Sequence, residues 1–273
     1  MKKKISLAGD LGSGKSTVSK ILIERIGAEY YSTGAIVRSI AEKRGMSVTE
    51  LNLYMETHPE IDHEIDDGLR ALSSVDKLLI IDSRMAWHFT EGTFKVYLSL
   101  DIETSAYRIM NANRQGEHEG SLEQTVIATR ARRESEKKRY MTQYGVDIKD
   151  LTNYNLVVDT SRVSPEEVAE IIVGAFQDSR YSEDSTSIAY VSPLRLYYPD
   201  DECDMDEAAS LSVALDEGRE IPPVKLYHKD GEFYVAEGAT SALAYSLSDI
   251  SLVPAEIIKG EPSGVYVKME NSL

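Results

Sequence analysis

The sequence predicts an α/β protein in which a parallel sheet flanked by helices is followed by a smaller α+β unit. Three observations carry this. Short apolar runs alternate with helix-patterned segments up to about residue 177, the signature of parallel strands joined by helical crossovers. A glycine-rich loop separates the first apolar run from the first helix. Beyond it the charge balance shifts, with fourteen Asp/Glu against five Lys/Arg from Asp178 to Glu232.

Ile5 to Ala8 is a short buried-strand pattern stopped by Gly9, and a helix follows from Lys15 to about Ile26 with Val18, Ile21, Leu22 and Ile26 on one face. Tyr30-Tyr31 fits a second strand. Ala35 to Arg44 reads as a helix, and a helical hairpin runs through Leu72, broken at His58-Pro59 because proline removes a helical hydrogen bond. Leu78 to Asp82 and Phe94 to Leu100 are apolar runs typical of strands buried on both faces.

A helix from Ile102 to Asn113 leads into the polar, Gly-containing stretch Gln115 to Ser121, which suits a mobile lid. A long charged helix then spans Leu122 to Tyr144. Leu156 to Asp159 is a further strand. Ser164-Pro165-Glu166-Glu167 combines a serine cap, proline at the first helical position and glutamate at the third, so a helix starts there and ends near Gln177. Residues 1–178 form the first domain, 179–186 a linker and 187–273 the second. The second contains strands at Ile188–Val191, Val224–His228, Phe233–Ala236 and Val253–Ile258, with helices at Met205–Leu215 and Ala239–Leu247. Asp230-Gly231 is a hairpin turn.

A net charge of −16 excludes a general binder of nucleic acid or anionic membranes, since both demand exposed positive charge. Cys203 is the only cysteine, so neither an intrachain disulfide nor a thiolate metal cluster forms. No run reaches the length of a membrane span, and the N-terminal strand is too short for a signal-peptide core. A cytoplasmic protein is expected.

Gly9-Asp10-Leu11-Gly12-Ser13-Gly14-Lys15-Ser16, with Thr17 behind it, fits the phosphate-binding loop G-x-x-x-x-G-K-[ST]. The glycines let successive N–H groups point inward at phosphate oxygens, adding to the positive end of the helix behind them. Lys15 can reach the β- and γ-phosphates of a bound nucleotide, and the Ser16 hydroxyl can ligate Mg²⁺. Gly9, Gly12, Ser13, Gly14, Lys15, Ser16 and Thr17 are therefore the candidate nucleotide-binding residues.

Such loops serve many reactions, so other residues must choose one. Arg38 lies one turn inside a helix that starts at Ser32-Thr33-Gly34, a clamp for an acceptor's phosphate with two hydroxyls beside it. Asp82 ends a strand at the sheet's carboxyl edge, positioned to hold Mg²⁺ through its water, with Arg84 next to it. Arg108, Arg114, Arg130, Arg132, Arg133, Lys137, Lys138 and Arg139 concentrate positive charge in an acidic chain. Arginine forks stabilise a phosphoryl group in transit, although i,i+4 pairing on a solvated helix explains some of them. Histidines 58, 63, 88, 118 and 228 show no metal-ligand spacing, and Trp87 reads as packing.

Ser32-Thr33-Gly34 to Arg38, Gly45-Met46-Ser47, His58 to Asp62, Asp82-Ser83-Arg84, Arg133 to Tyr140 and Tyr144 to Asp147 together resemble the cytidylate kinases, closest to their short archaeal-type branch, over about residues 3–177. The resemblance implies a nucleoside monophosphate kinase fold with a five-stranded parallel sheet, and transfer of the γ-phosphate of ATP to CMP or dCMP. By motif, Lys15 and Ser16 serve ATP and Mg²⁺, Arg38 holds the acceptor's phosphate, and Arg84 lies beside the acceptor. Arg132, Glu136 and Arg139 match an Arg-x₃-Asp/Glu-x₂-Arg pattern that contacts phosphate and the pentose or base. The catalytic set is then Lys15, Arg132, Arg139 and Asp82. Ser83 departs from the family's usual glycine. A kinase of another small metabolite and a nucleotide sensor without turnover are the alternatives.

Val191 to Leu196, Ile221 to Val224, Tyr234 to Gly238 and Ala242 to Ala244 are similar to ParB-like, sulfiredoxin-fold domains. Active members carry an arginine or histidine box after the last glycine, where this chain has Gly238-Ala239-Thr240-Ser241. The second unit is accordingly expected to be non-catalytic, serving a homo-oligomer or a protein partner. A stabilising appendage is the alternative.

Overall fold

The computed structural model describes residues 3–111, 121–178, 186–200, 203–248 and 250–268. Strand β1 (Lys4–Gly9) runs into α1 (Lys15–Ile26), which buries Val18 and Leu22. Then come β2 (Glu29–Ser32), α2 (Thr33–Arg44), α3 (Val48–Met55) and α4 (Pro59–Ala71). Proline at the first position of α4 is tolerated because the N–H it lacks would have no partner there. Strands β3 (Leu79–Asp82) and β4 (Thr93–Ser99) bracket a one-turn helix α5 (Ala86–Phe89). Helix α6 (Ile102–Asn111) is followed by α7 (Leu122–Tyr144), which starts with a Ser121/Gln124 capping box and ends at Gly145 in the left-handed conformation. Strand β5 (Leu156–Asp159) and α8 (Pro165–Gln177) complete the first part.

The later residues supply β6 (Ser187–Val191), β7 (Leu196–Pro199), α9 (Met205–Asp216), β8 (Val224–Lys229), β9 (Glu232–Glu237), α10 (Ala239–Leu247), β10 (Val253–Ile257) and β11 (Tyr266–Lys268). The lid stretch before Ser121, with Arg114 and His118, and residues 179–185 of the expected linker lie outside the described residues.

One expectation is corrected. Strands β1 to β5 are not a separate five-stranded sheet. All eleven described strands form one sheet in the order β11-β7-β9-β8-β10-β6-β5-β4-β1-β3-β2. The physical reason lies at β5. Its outer edge would expose unpaired N–H and C=O groups, and β6 pairs it in parallel, Leu156 against Ile188 through Val158 against Tyr190. The sheet then turns mixed, with β10 antiparallel to β6 and β8 antiparallel to β9.

The core follows the sheet across this seam. Ala8, Trp87, Tyr97 and Tyr154 pack in one cluster with Val191, Leu226, Phe233 and Val235. A second cluster lies where α1 and α8 cover β1, β4 and β5. Registers put Gly9 beside Leu98, Ser32 beside Asp82 and Ser99 beside Asp159, so all these strand ends open on one edge. Among the described residues no helix is long and apolar enough to cross a membrane.

The shared core predicts that the chain melts as one unit. Trp87, the only tryptophan, reports the seam. Phe233→Ala, in the later half, should lower unfolding free energy by about 3–5 kcal/mol and shift the Trp87 fluorescence transition. An unmoved Trp87 transition, with a separate one elsewhere, would contradict this.

Candidate functional site

The phosphate loop is shaped by backbone constraint. Gly12 and Gly14 take φ of 74° and 83°, which L side chains rarely adopt. A Cβ on Gly9 would sit 2.5 Å from the Leu98 carbonyl oxygen. The loop delivers its N–H groups to the start of α1, and Ser105 Oγ of α6 donates to the Leu11 carbonyl at 2.6 Å. Lys15 Nζ donates to the carbonyls of Gly9 and Asp10 at 2.9 and 3.0 Å. Burial brings its ammonium down to about 8, against the pull of Asp82.

Asp10 points the other way. Its carboxylate is buried behind the loop and accepts from Tyr97 Oη at 3.1 Å, from the Leu100 N–H at 2.9 Å and from Lys149 Nζ. Arg133 Nη2 lies 3.6 Å away. Burial opposes this charge, yet Lys149 and Arg133 hold the carboxyl well below the usual range.

In front of the loop is a cavity of about 370 Å³. Gly12 to Thr17 line one end. Ser32, Thr33, Arg38, Asp82, Arg84, Arg132 and Arg139 line the rest, so every candidate for the nucleotide, metal and acceptor sites reaches it except Gly9 and Glu136; of the further basic residues Arg108 lines it, and Arg130, Arg133, Lys137 and Lys138 do not. Gly9 ends β1 where the loop begins, packed against Leu98. Glu136 is enclosed and ties two of the arginines together: Arg84 Nε is 2.7 Å from its Oε2, and Arg132 Nε donates to Oε1 at 3.3 Å. Burial opposes the Glu136 charge, and the two guanidiniums overcome it. The same helix carries Thr125, Thr129, Glu136 and Arg139 on its buried side, a polar stripe facing inward.

Ser32 caps α2, accepting from the Ala35 N–H at 3.3 Å, which leaves its own hydrogen to donate. Asp82 accepts from Tyr30 Oη at 2.8 Å. Ser83 has a local reason to be serine, since its Oγ accepts from the Met85 N–H at 3.3 Å and shapes the turn after β3. Ser16 and Asp82 offer two hard oxygens to one cavity. Among the described residues no group of three or more His, Cys, Asp or Glu side chains is arranged to hold an ion. Such a sparse set suits Mg²⁺, which takes one or two protein oxygens and completes its shell with water and phosphate.

Sequence reasoning missed Asp62 and Asp66, which line the cavity's far wall at 5% and 4% exposure. Asp62 Oδ2 and Arg139 Nε, 3.6 Å apart, are both buried without a hydrogen bond. Burial raises both carboxyls, with Arg139 opposing at Asp62 and the Tyr144 hydroxyl at Asp66. The available signal was their i,i+4 spacing in phase with Ile61, Ile65 and Leu69, the apolar stripe of α4. Among the histidines, His58 stacks on Tyr54 with ring centroids 3.6 Å apart, and Trp87 packs against Tyr154.

The sequence model of the cytidylate kinase-like family matches residues 4–162. An S-adenosylmethionine-dependent nucleotide dehydratase of Lacinutrix mariniflava is 34% identical over 227 residues, 82% of this chain and 44% of that protein. This chain thus spans less than half the length of that relative. The cytidylate kinase of Thermoplasma volcanium is 36% identical over 184 residues, 66% of this chain and 94% of that enzyme. A shikimate kinase structure from Bacteroides thetaiotaomicron is 13% identical and overlaps 64% of this chain and 98% of its own, with a TM-score of 0.46.

The lowered Lys15 gives a pH dependence whose sign is fixed. A bound polyphosphate raises the ammonium again, so binding takes up a proton above pH about 8 and none well below it. Affinity for a nucleoside triphosphate should be level below that pH and weaken above it, approaching tenfold per unit at about 1.4 kcal/mol. Calorimetry in buffers of different ionisation enthalpy reads the proton directly. Lys15→Arg, which stays charged, should abolish the slope, and an unchanged slope would assign it elsewhere.

Proposed function

The chain belongs to the cytidylate kinase-like family, and from that premise we propose that it transfers the γ-phosphoryl group of ATP to a nucleoside monophosphate, CMP or dCMP foremost. The observation that carries this is a single cavity with the phosphate loop at one end and arginines beside buried carboxylates at the other. Donor and acceptor phosphates would meet between Lys15 and the arginine set.

In this reading an ionised oxygen of the acceptor phosphate attacks the γ-phosphorus in line. The bond from that phosphorus to the β-bridging oxygen breaks, and ADP leaves with the electron pair. No general base is needed, because the attacking oxygen carries no proton. Lys15 and Arg132 offset the charge spread over the moving group, while Arg139, paired with Asp62, is assigned to the base in place of the phosphoryl role its motif implied. Arg38 anchors the acceptor's phosphate, with Ser32 and Thr33 beside it, and Arg84 is held by Glu136 to meet the acceptor. Ser16 and Asp82 would hold Mg²⁺, which supplies charge neutralisation between the phosphates.

The base reading rests on Asp62 and Arg139. A carboxylate acceptor beside a guanidinium donor complements the N4 amino group and N3 of cytosine. Uracil reverses that order, and with the phosphate end anchored like would face like. We read residues 187–273 as a non-catalytic ParB-like unit. The name of the Lacinutrix relative favours one further reading, in which the phosphorylated product feeds a nucleotide dehydration.

Incubation of ATP with CMP, dCMP, UMP, AMP, shikimate or no acceptor, followed by ADP release, tests the proposal. Release should depend on CMP or dCMP, and Lys15→Ala should reduce it by orders of magnitude. Asp62→Asn should lower kcat/KM for CMP by about tenfold or more relative to UMP. Turnover with shikimate alone would move the acceptor to another class, and ATP binding without turnover would leave a sensor.

A further inference from the structure

Helix α6 borders the phosphate-loop end of the cavity. Arg108 lines that end with Leu11 and Gly12. Its guanidinium is set by a turn, since Nη2 donates to the carbonyls of Thr160 and Ser161 at 2.7 and 3.4 Å. What holds the turn is Asp159, fully buried at the end of β5. Its Oδ1 accepts from the Ser161 N–H and Oγ at 3.0 and 2.5 Å.

The same carboxylate is gripped from the other half of the chain. Arg195, 4% exposed, follows β6 in a short 3₁₀ turn. Its Nη1 donates to Asp159 Oδ1 at 2.9 Å and to Ser99 Oγ at 3.0 Å, and Nη2 donates to the Gly231 carbonyl at 2.8 Å. The guanidinium carbon lies 5.0 Å from the centroid of the Phe233 ring. The Ser192 N–H completes the shell on Asp159 Oδ2 at 3.1 Å. A planar fork is required here, because three acceptors in different directions must be met by one side chain.

We infer that Arg195 is a positioning residue for the donor-nucleotide site, acting through Asp159 and the 160–161 turn on Arg108, so that residues beyond the family match complete that site. This rests on reading the phosphate-loop end as the donor's. The path is short and each link is a hydrogen bond: Arg195 to Asp159, Asp159 to Ser161, and the turn's carbonyls to Arg108. Among the described residues no such link reaches the acceptor end, for Arg38, Arg84 and Arg139 are carried by α2, the β3 turn and α7. A relay of this kind weakens one ligand and spares the other. A plain structural ion pair would not discriminate between them.

Equilibrium titration of the full chain with Mg²⁺ and a non-hydrolysable ATP analogue, and separately with CMP, reads the difference. Arg195→Lys keeps the charge and loses the fork. It should weaken the ATP analogue about tenfold and leave CMP within about twofold, and Arg108→Ala should do the same. The double variant should be no weaker than the worse single one. If Arg195→Lys does not fold, Ser161→Ala keeps the buried ion pair and removes one of the two hydrogen bonds of the next link, with an expected loss of about threefold for the ATP analogue alone. Equal weakening of both ligands, fully multiplicative effects, or variants that bind the analogue like wild type would overturn the relay. A wild type that binds no ATP analogue sinks the kinase reading as well, so the two failures are told apart.

Discussion

Positive charge gathered at one sheet edge is the constraint around which this molecule is arranged. Lys15, Arg84, Arg132 and Arg139 converge on one cavity, and unit charges about 4 Å apart repel by roughly 4 kcal/mol at an effective dielectric of about 20. The fold answers with acids of its own. Glu136 lies between Arg84 and Arg132, Asp62 faces Arg139, and Lys15 rests on two loop carbonyls. The guanidiniums are thereby oriented by the fold itself, and a phosphate entering the cavity would exchange partners with them without having to order free side chains.

That edge exists because parallel strands all end on the same side. Gly9, Ser32, Asp82 and Asp159 close β1, β2, β3 and β5, and the helices that follow carry the remaining groups. Extending the sheet through β6 adds Arg195 to this row of strand ends. The acidic second half is therefore joined to the site by backbone pairing, by the cluster of Ala8, Tyr97 and Phe233, and by a buried ion pair. Breaking such a pair from one side strands a charge in the interior.

Legibility in the sequence tracked how local each cause was. The phosphate loop is read from a run of nine residues because its glycines, lysine and hydroxyls act on one another's neighbours. Arg132, Glu136 and Arg139 were readable through the pattern they share with the cytidylate kinases, and the capping box at Ser164 through its own three-residue span. Asp62 and Asp66 were overlooked because an acid in phase with an apolar stripe looks like a surface position until the facing helix is known. The continuous sheet was not legible at all. Its seam pairs residues about thirty apart, and β7 and β11, four and three residues long, are too short to show a period of two. Arg195 gives no signal alone, since its meaning lies in Asp159, 36 residues earlier.

Asp10 shows the same logic at the most demanding position. A carboxylate inside a phosphate-binding loop should repel the ligand the loop is built to hold. Here the side chain is turned away from the cavity that Gly12 to Thr17 line. Its charge is taken up by Lys149, Arg133, Tyr97 and a backbone N–H. A phosphate in that cavity would meet the Gly12 to Thr17 side of the loop, whose backbone N–H groups do not depend on the side chain behind them. The acid then becomes an anchor: Tyr97 of β4 and Lys149 before β5 donate to it and Arg133 of α7 pairs with it by charge, so three elements fix the back of the loop. A loop that must be rigid, and whose front must stay open, can only be held from behind. Asp10 is where this fold holds it.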